Sequence, residues 1–305
     1  MLDDILTENL WTFKYEPKTI DDYIATDETK SLLKTILKDN LNLLISGTPG
    51  TGKSTFVNIY LKQTGFDYLK INASNERGID SIRMKVEPFA KSLGFGKFKI
   101  VYFNEADQLT QDAQRSLKDL IEEVRLHTRF IFICNDYHPI DDAIMSRCFH
   151  LEMPKPPAKG IFDLCKKIIE NEKIVIKNKK DFDKSLIDTI KRFYPDIRSI
   201  INSVQGSVVD GEISVVKSKF NDDLYDSILN AFMKKDIGTV RELLRNNAIS
   251  YNELYNMLFN NVSKFSSPGD AIIDIGEYLW RDKQVAIQEI NFLAMMAKMI
   301  KEGTL

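Results

Sequence analysis

The segment from Leu41 to Ser54, LNLLISGTPGTGKS, constrains this chain more than any other stretch. An apolar strand runs into G-x-x-x-x-G-K-S, and Phe56, Ile59 and Tyr60 then recur at helical spacing. In such a loop Gly47, Gly50 and Gly52 let the backbone N–H groups of Thr48, Pro49's neighbours and Thr51 turn inward around an anionic phosphate chain. The helix that follows adds the positive end of its dipole at the same spot. Lys53 is placed to reach the β- and γ-phosphates, the Ser54 hydroxyl is placed on Mg²⁺, and Thr55 follows it. The reading is a nucleoside triphosphate site with Mg²⁺ on a strand-to-helix turn.

From Leu41 to Met153 strand-like and helix-like segments alternate. Tyr68–Ile71, Lys99–Phe103 and Arg129–Cys134 are short apolar runs, as strands buried on both faces require. Between them Ile82, Val86, Phe89 and Leu93 lie at helical spacing, as do Leu117, Leu120, Ile121 and Val124. Alternation of this kind predicts an α/β domain with a parallel sheet covered by helices. A last strand near Phe149–Met153 stops at Pro154, Pro156 and Pro157, which end the pairing and mark a boundary. Beyond it the periodicity predicts helices at 158–171, 184–193 and 196–209, a weak linker over 206–219, and further helices starting near 222, 236, 250, 268 and 285. The expected domains are 1–153 (α/β), 154–215 (a small helical lid) and 216–305 (all-helical).

Composition narrows the partners. With 42 basic and 44 acidic residues the net charge is -2, which excludes a globally basic nucleic-acid binder and permits a local basic stripe. No apolar run approaches the roughly 20 residues that span a bilayer, and no charged-then-apolar leader opens the chain, so no membrane partner is expected. Cys134, Cys148 and Cys165 have no metal-type spacing and are too few for a disulfide framework, which fits a reducing compartment such as the cytoplasm.

Four further constellations carry chemistry. The strand Ile100–Phe103 ends in Asn104-Glu105-Ala106-Asp107, where Glu105 stands in the place of a carboxylate that polarises the attacking water. Asn104 stands where an Asp that serves Mg²⁺ is expected, and loss of that charge is worth roughly 1.5–3 kcal/mol. Asn135, after the strand expected beside Leu43–Ser46, either caps a turn or hydrogen-bonds the γ-phosphate and the water. Arg147, in Ser146-Arg147-Cys148, is either a solvated surface arginine or a guanidinium offered to a neighbouring subunit's γ-phosphate. Arg77 and Arg83, flanking a helix start, are either solvated or make contacts to a nucleic-acid backbone.

Taken together these residues resemble the small subunit of sliding-clamp loaders, the replication factor C type within the AAA+ ATPases. Trp11 to Pro17 resembles W-x-x-K-Y-R-P, GTPGTGKS resembles G-P-P-G-T-G-K-T, and NASNERGIDSIR resembles N-A-S-D-x-R-G-I-D-x-x-R. NEADQLTQDAQ resembles D-E-A-D-x-x-T-x-D-A-Q, Ser146-Arg147-Cys148 matches S-R-C, and Tyr194 to Arg198 resembles the lid segment that carries a second sensor arginine. The resemblance implies a parallel-sheet AAA+ domain, a helical lid and a helical collar that holds subunits together.

It further implies that Tyr15 and Pro17 line the adenine pocket, and that Ser54 and Asn104 serve the metal. Glu105 and Asn135 position water, Arg198 reads the γ-phosphate in its own subunit, and Arg147 acts on the next. Arg77, Arg83 and Lys118 are implied to track primer–template DNA, with Gln114 coupling that contact to the ATP site. Phe89, Leu93 and Phe95 are implied to press on a ring clamp, against core packing as the plain alternative for Phe89. The implied activity is ATP-dependent opening and loading of the clamp in DNA replication, with ATP and Mg²⁺ as cofactors, within a ring or spiral of five subunits. The competing reading is an ATP-binding assembly module with little hydrolysis. Glu16 and Thr48 depart from the family pattern along with Asn104.

Overall fold

The computed structural model describes residues 10–92, 98–216, 222–247 and 249–305, with the side chains of residues 222 and 223 excepted. The chain divides into two compact units, Met1–Lys217 and Ser218–Leu305.

In the first unit five parallel strands form one sheet: β1 (Leu43–Ser46), β2 (Asp67–Asn72), β3 (Lys99–Asn104), β4 (Thr128–Ile133) and β5 (Phe149–Glu152). Their spatial order is β2-β3-β4-β1-β5. The central strands β1, β3 and β4 are buried almost throughout, whereas β2 and β5 are mostly exposed, as edges are.

Because successive strand residues point to opposite faces, the sheet divides its apolar side chains between two cores. Leu44, Val101, Phe103, Phe130 and Phe132 pack with Ile82, Val86, Leu117 and Ile121 from the helical stretches over 79–91 and 111–123. Leu43, Ile45, Ile100, Tyr102, Ile131 and Ile133 face Phe56, Val57 and Tyr60 of the helix Lys53–Thr64, with Leu33 and Ile36 of the helix Asp27–Asp39. The helices are started by local chemistry: Thr26 accepts from the Thr29 N–H, and Thr110 from the Ala113 N–H.

The helix Lys53–Thr64 differs, since it starts from Gly52 with no side-chain cap and keeps its first N–H groups for another acceptor. Between Ile79 and Lys91 the helix carries a π-helical turn, Ile82–Val86. Lys99 is buried; its ammonium donates to the carbonyls of Phe89 (3.0 Å) and Ser92 (2.7 Å) at the end of that helix, where the dipole welcomes a cation.

Three lid helices follow, Ala158–Asn171, Lys179–Phe193 and Ile197–Gln205, around a third core that also takes in Trp11. The middle helix begins at Lys179 rather than at 184, because Asn178 caps it through the N–H groups of Lys180 and Asp181. Glu212–Ile213, in the weakly periodic stretch 206–219, pairs with Val175–Ile176 in a two-residue parallel ladder.

The second unit has helices Asp222–Met233, Ile237–Asn246, Tyr251–Asn260, Pro268–Asp282 and Gln288–Glu302. Its core gathers Phe232, Tyr255, Phe292, Met295 and Met299. Within it Asn291 donates to Tyr255 Oη (3.0 Å), the Tyr278 carbonyl (2.8 Å) and Asp282 Oδ1 (3.2 Å), so its buried amide N–H groups find acceptors. No helix among the described residues is long and apolar enough to cross a membrane.

Candidate functional site: a phosphate-loop cavity under the lid

A cavity of about 610 Å³ opens at the carboxyl ends of β1, β3 and β4. Pro49, Gly50, Thr51, Gly52, Lys53, Ser54 and Thr55 line it on one side, and Asn104, Glu105 and Asn135 at the strand ends. Tyr15, Glu16 and Pro17 come from the N-terminal segment, and Leu164, Asp196, Ile197, Arg198 and Ile201 from the lid. Residues scattered over most of the first unit thus converge on one space. Its apolar walls suit a base and its loop suits phosphates.

Gly47 and Thr48 are not among the residues that line the cavity. Their carbonyls receive the Lys53 ammonium at 2.7 and 3.0 Å, and Asn135 Oδ1 accepts from it at 3.0 Å. Pairing of β1 with β4 is what brings Asn135 to Lys53. Burial lowers the Lys53 pKa, partly offset by Cys134 and Asp107 nearby. Cys134 itself is pushed up to about 12 by burial, so it stays a thiol.

Glu105 takes a left-handed conformation (φ 56°) just after β3, which turns its carboxylate toward β2, and Ser74 donates to its Oε2. Tyr102 Oη lies 3.4 Å from Asn104 Oδ1 and also meets the Ser54 side chain. The Tyr23 hydroxyl, buried under the loop, donates to the Thr51 carbonyl at 2.9 Å. Gly50 (φ 78°) touches the lid so closely that a Cβ there would stand 2.4 Å from the Asp196 Cα. Asp196 in turn accepts from the N–H groups of Arg198 (3.1 Å) and Ser199 (3.2 Å) and so fixes the start of the arginine's helix. Across the cavity Tyr15 donates to Glu172 Oε1 (2.7 Å), which also pairs with Lys14 at 2.6 Å. Burial and Glu172 raise the Tyr15 pKa to about 12. Asn58 donates to Glu16 Oε1 at 3.0 Å, which ties the departure at position 16 to the phosphate-loop helix.

For Mg²⁺ the donor set fits in part. The Ser54 hydroxyl is a suitable oxygen ligand, but the second place holds the neutral amide of Asn104, where such ions favour a carboxylate. Ser54 and Asn104 would therefore hold an ion that arrives with the nucleotide's own phosphate oxygens.

Arg147 is not among the residues that line this cavity. It sits between the helix Asp142–Met145 and β5, pairs with Glu122, and donates to the Ala143 carbonyl at 2.7 Å, while its buried Nε has no partner. Arg77, Arg83 and Lys118 are exposed, on or beside the helices that share the Ile82–Leu117 core. Gln114 is buried instead: it donates to the carbonyls of Leu109 (3.2 Å) and Pro139 (3.0 Å) and accepts from the Asp141 N–H (2.7 Å). Phe89 is half-buried against the same core, with the Lys99 ammonium 4.7 Å from its ring centroid. Leu93 and Phe95 lie outside the described residues.

Sequence reasoning missed Tyr23, Lys70, Tyr102, Asp196, Glu172 and Ser74. Asp196 alone had a local signal, an Asp ahead of a helical run. Tyr102 was masked by the apolar strand around it, and Lys70 by its place on an edge strand.

A phosphate loop on the strand next to the edge strand β5, a strand-end carboxylate and a lid arginine define an AAA-type ATPase. The model of the family described as "ATPase family associated with various cellular activities (AAA)" matches residues 43–155. The replication factor C small subunit of Picrophilus torridus is 30% identical over 97% of this chain and 98% of that protein. That of Sulfurisphaera tokodaii is 32% identical over 97% and 96%. The chain belongs to the replication factor C small-subunit family, and it is an ATP hydrolase of the AAA class. In fold it is similar to the RuvB Holliday junction branch migration motor of Thermotoga maritima (TM-score 0.56, 14% identity, 80% of this chain and 85% of that one).

Proposed function

We propose that this chain is the ATPase subunit of a clamp loader, which uses ATP to open a ring clamp and place it on primer–template DNA. The observation that carries the reading is the division of arginines. Arg198 borders the chain's own cavity, while Arg147 stands apart from it, held by Glu122, the Ala143 carbonyl and the Ser146 hydroxyl. An arginine of the S-R-C turn that serves no nucleotide at home is suited to the nucleotide of an adjacent subunit, where it neutralises charge developing on the γ-phosphate.

In this reading Lys53 leaves the carbonyls of Gly47 and Thr48 for the β- and γ-phosphates, and the free N–H groups from Thr51 to Ser54 cradle them. Tyr15 and Pro17 border the base. Asn135 and Glu105 orient the water, Glu105 once Ser74 releases it. Mg²⁺ supplies charge neutralisation when bound with ATP. Arg77, Arg83 and Lys118 contact DNA phosphates, a term that is salt-dependent and indifferent to sequence. Phe89 with Leu93 and Phe95 faces the clamp.

The division into 1–153, 154–215 and 216–305 follows the same logic, the last part being the collar. Ile273 and Trp280 are 65% and 64% exposed there, an apolar surface for neighbouring subunits. The test is ATP hydrolysis and native mass measurement of the chain with its companion subunits, the clamp and primed DNA. Hydrolysis stimulated by clamp and DNA in a multi-subunit particle is expected; a chain that stays monomeric with ATP and all partners present refutes the proposal. The weaker-hydrolysis reading draws on Asn104 and on the Ser74 contact to Glu105. Single-turnover hydrolysis in the same particle distinguishes it.

A further inference from the structure

The corner of the cavity between β2, β3 and the phosphate loop has an unusual charge. On β3, Tyr102 and Asn104 are two residues apart and share a face, and the register sets Lys70 opposite Tyr102 and Asn72 opposite Asn104. Lys70, Tyr102, Asn104 and Ser54 all line the cavity. The Lys70 ammonium stands 5.6 Å from the centroid of the Tyr102 ring, and the phenol reaches Asn104 and Ser54. The side chains around this corner are thus two hydroxyls, an amide and a cation.

Of the carboxylates around the loop, Asp107, whose charge reaches Lys53, does not line the cavity, and those that do each have a partner when no nucleotide is bound. Glu105 accepts from Ser74, Glu16 accepts from Asn58, and Asp196 holds the N–H groups of Arg198 and Ser199. A protein carboxylate near a phosphate-bound cation rewards the metal complex over the free tetra-anion, and the neutral Asn104 at the end of β3 gives no such reward. A second lysine does the opposite: it favours the more highly charged, metal-free nucleotide. Lys70 is exposed, so its flexible stem can carry the charge over the Tyr102 ring toward the phosphates without breaking a packed contact.

We propose that Lys70, standing over a neutral Tyr102–Asn104 pair, takes on part of the charge that a metal and carboxylate handle in related sites. In consequence this chain binds nucleoside triphosphate with little dependence on a divalent cation. The inference rests on the nucleotide reading of the cavity and adds to it a specific basis for affinity.

The experiment is titration calorimetry of the full chain with ATP, in excess Mg²⁺ and again in EDTA, for the native protein, Lys70→Ala, Lys70→Arg, Asn104→Asp and Lys53→Ala. Native affinity is expected to change by less than about threefold on chelation, a difference well under 1 kcal/mol. Lys70→Ala should lose on the order of tenfold in EDTA and less than about threefold in Mg²⁺, with Lys70→Arg restoring it. Asn104→Asp should bind on the order of tenfold tighter with Mg²⁺ than without.

Native binding that collapses on chelation, or a Lys70→Ala loss equal in both buffers, overturns the inference and leaves the nucleotide site standing. A native chain that binds no ATP in either buffer, like Lys53→Ala, overturns the nucleotide reading as well. Unchanged melting of Lys70→Ala, expected for an exposed side chain, separates lost affinity from lost folding.

Discussion

Substituting Gly50 by alanine tests whether the lid bears on the phosphate loop. The residue has φ 78°, where a side chain costs about 1–2 kcal/mol. The new methyl would also stand 2.4, 2.6 and 2.8 Å from the Cα, Oδ1 and Cβ of Asp196, all under any ordinary contact distance. Backbone cannot rotate away as a flexible side chain does, so the start of the helix Ile197–Gln205 must retreat by about 1 Å to reach normal van der Waals separation. Since Asp196 holds the Arg198 N–H, the arginine moves with it. A displacement of that size at a reacting group can lower turnover by about 100-fold.

Gly65 is the control. It too is left-handed (φ 62°), at the end of the helix Lys53–Thr64, but a Cβ there meets nothing within 4 Å. Gly65→Ala should therefore cost only the backbone strain, about 1–2 kcal/mol in denaturant unfolding, with ATP turnover unchanged. Gly50→Ala should lose both stability and turnover, and in a double-mutant cycle with Asp196→Ala the losses should fail to add. Strictly additive losses, or turnover of Gly50→Ala within threefold of native, would refute the contact as a working part of the site.

Other outcomes follow from the same geometry. Gln114→Ala removes the partner of the Asp141 N–H and of the Leu109 and Pro139 carbonyls, and should lower unfolding stability by about 1–3 kcal/mol; a loss below about 0.5 kcal/mol would mean the site relaxes or admits water. Arg147→Ala should lower hydrolysis by the assembled particle about 1,000-fold while ATP binding by the isolated chain holds, and equal effects on both would place the arginine in its own subunit's site. Burial raises the thiols of Cys134, Cys148 and Cys165 to about 12. At pH 8 all three are therefore protonated and should resist thiol reagents in the native state; rapid labelling that tracks no unfolding would contradict that burial.

Much of the site was open to reading along the chain, because its signals are local. The phosphate loop is one contiguous segment, the strands announce themselves by apolar runs, and Glu105, Asn135 and Arg147 each follow a strand or a short helix whose end fixes their place. Even the lid arginine comes just after a capping Asp. Lys118 and Gln114 illustrate the limit: both lie on one amphipathic helix, and spacing alone does not say that one is exposed while the other is bonded beneath it to a loop 25 residues further on.

The chain's letters by themselves determined that a triphosphate loop sits on a parallel sheet with helices after it, since strand and helix periods and glycine placement act over a few residues. Only the tertiary structure decided what surrounds that loop. Tyr23 beneath Thr51, Asp196 against Gly50, Glu172 on Tyr15, Ser74 on Glu105 and Lys70 over Tyr102 are pairings between distant segments. They arise where strand register and lid packing bring those segments into contact, and no local pattern encodes the meeting of two faces.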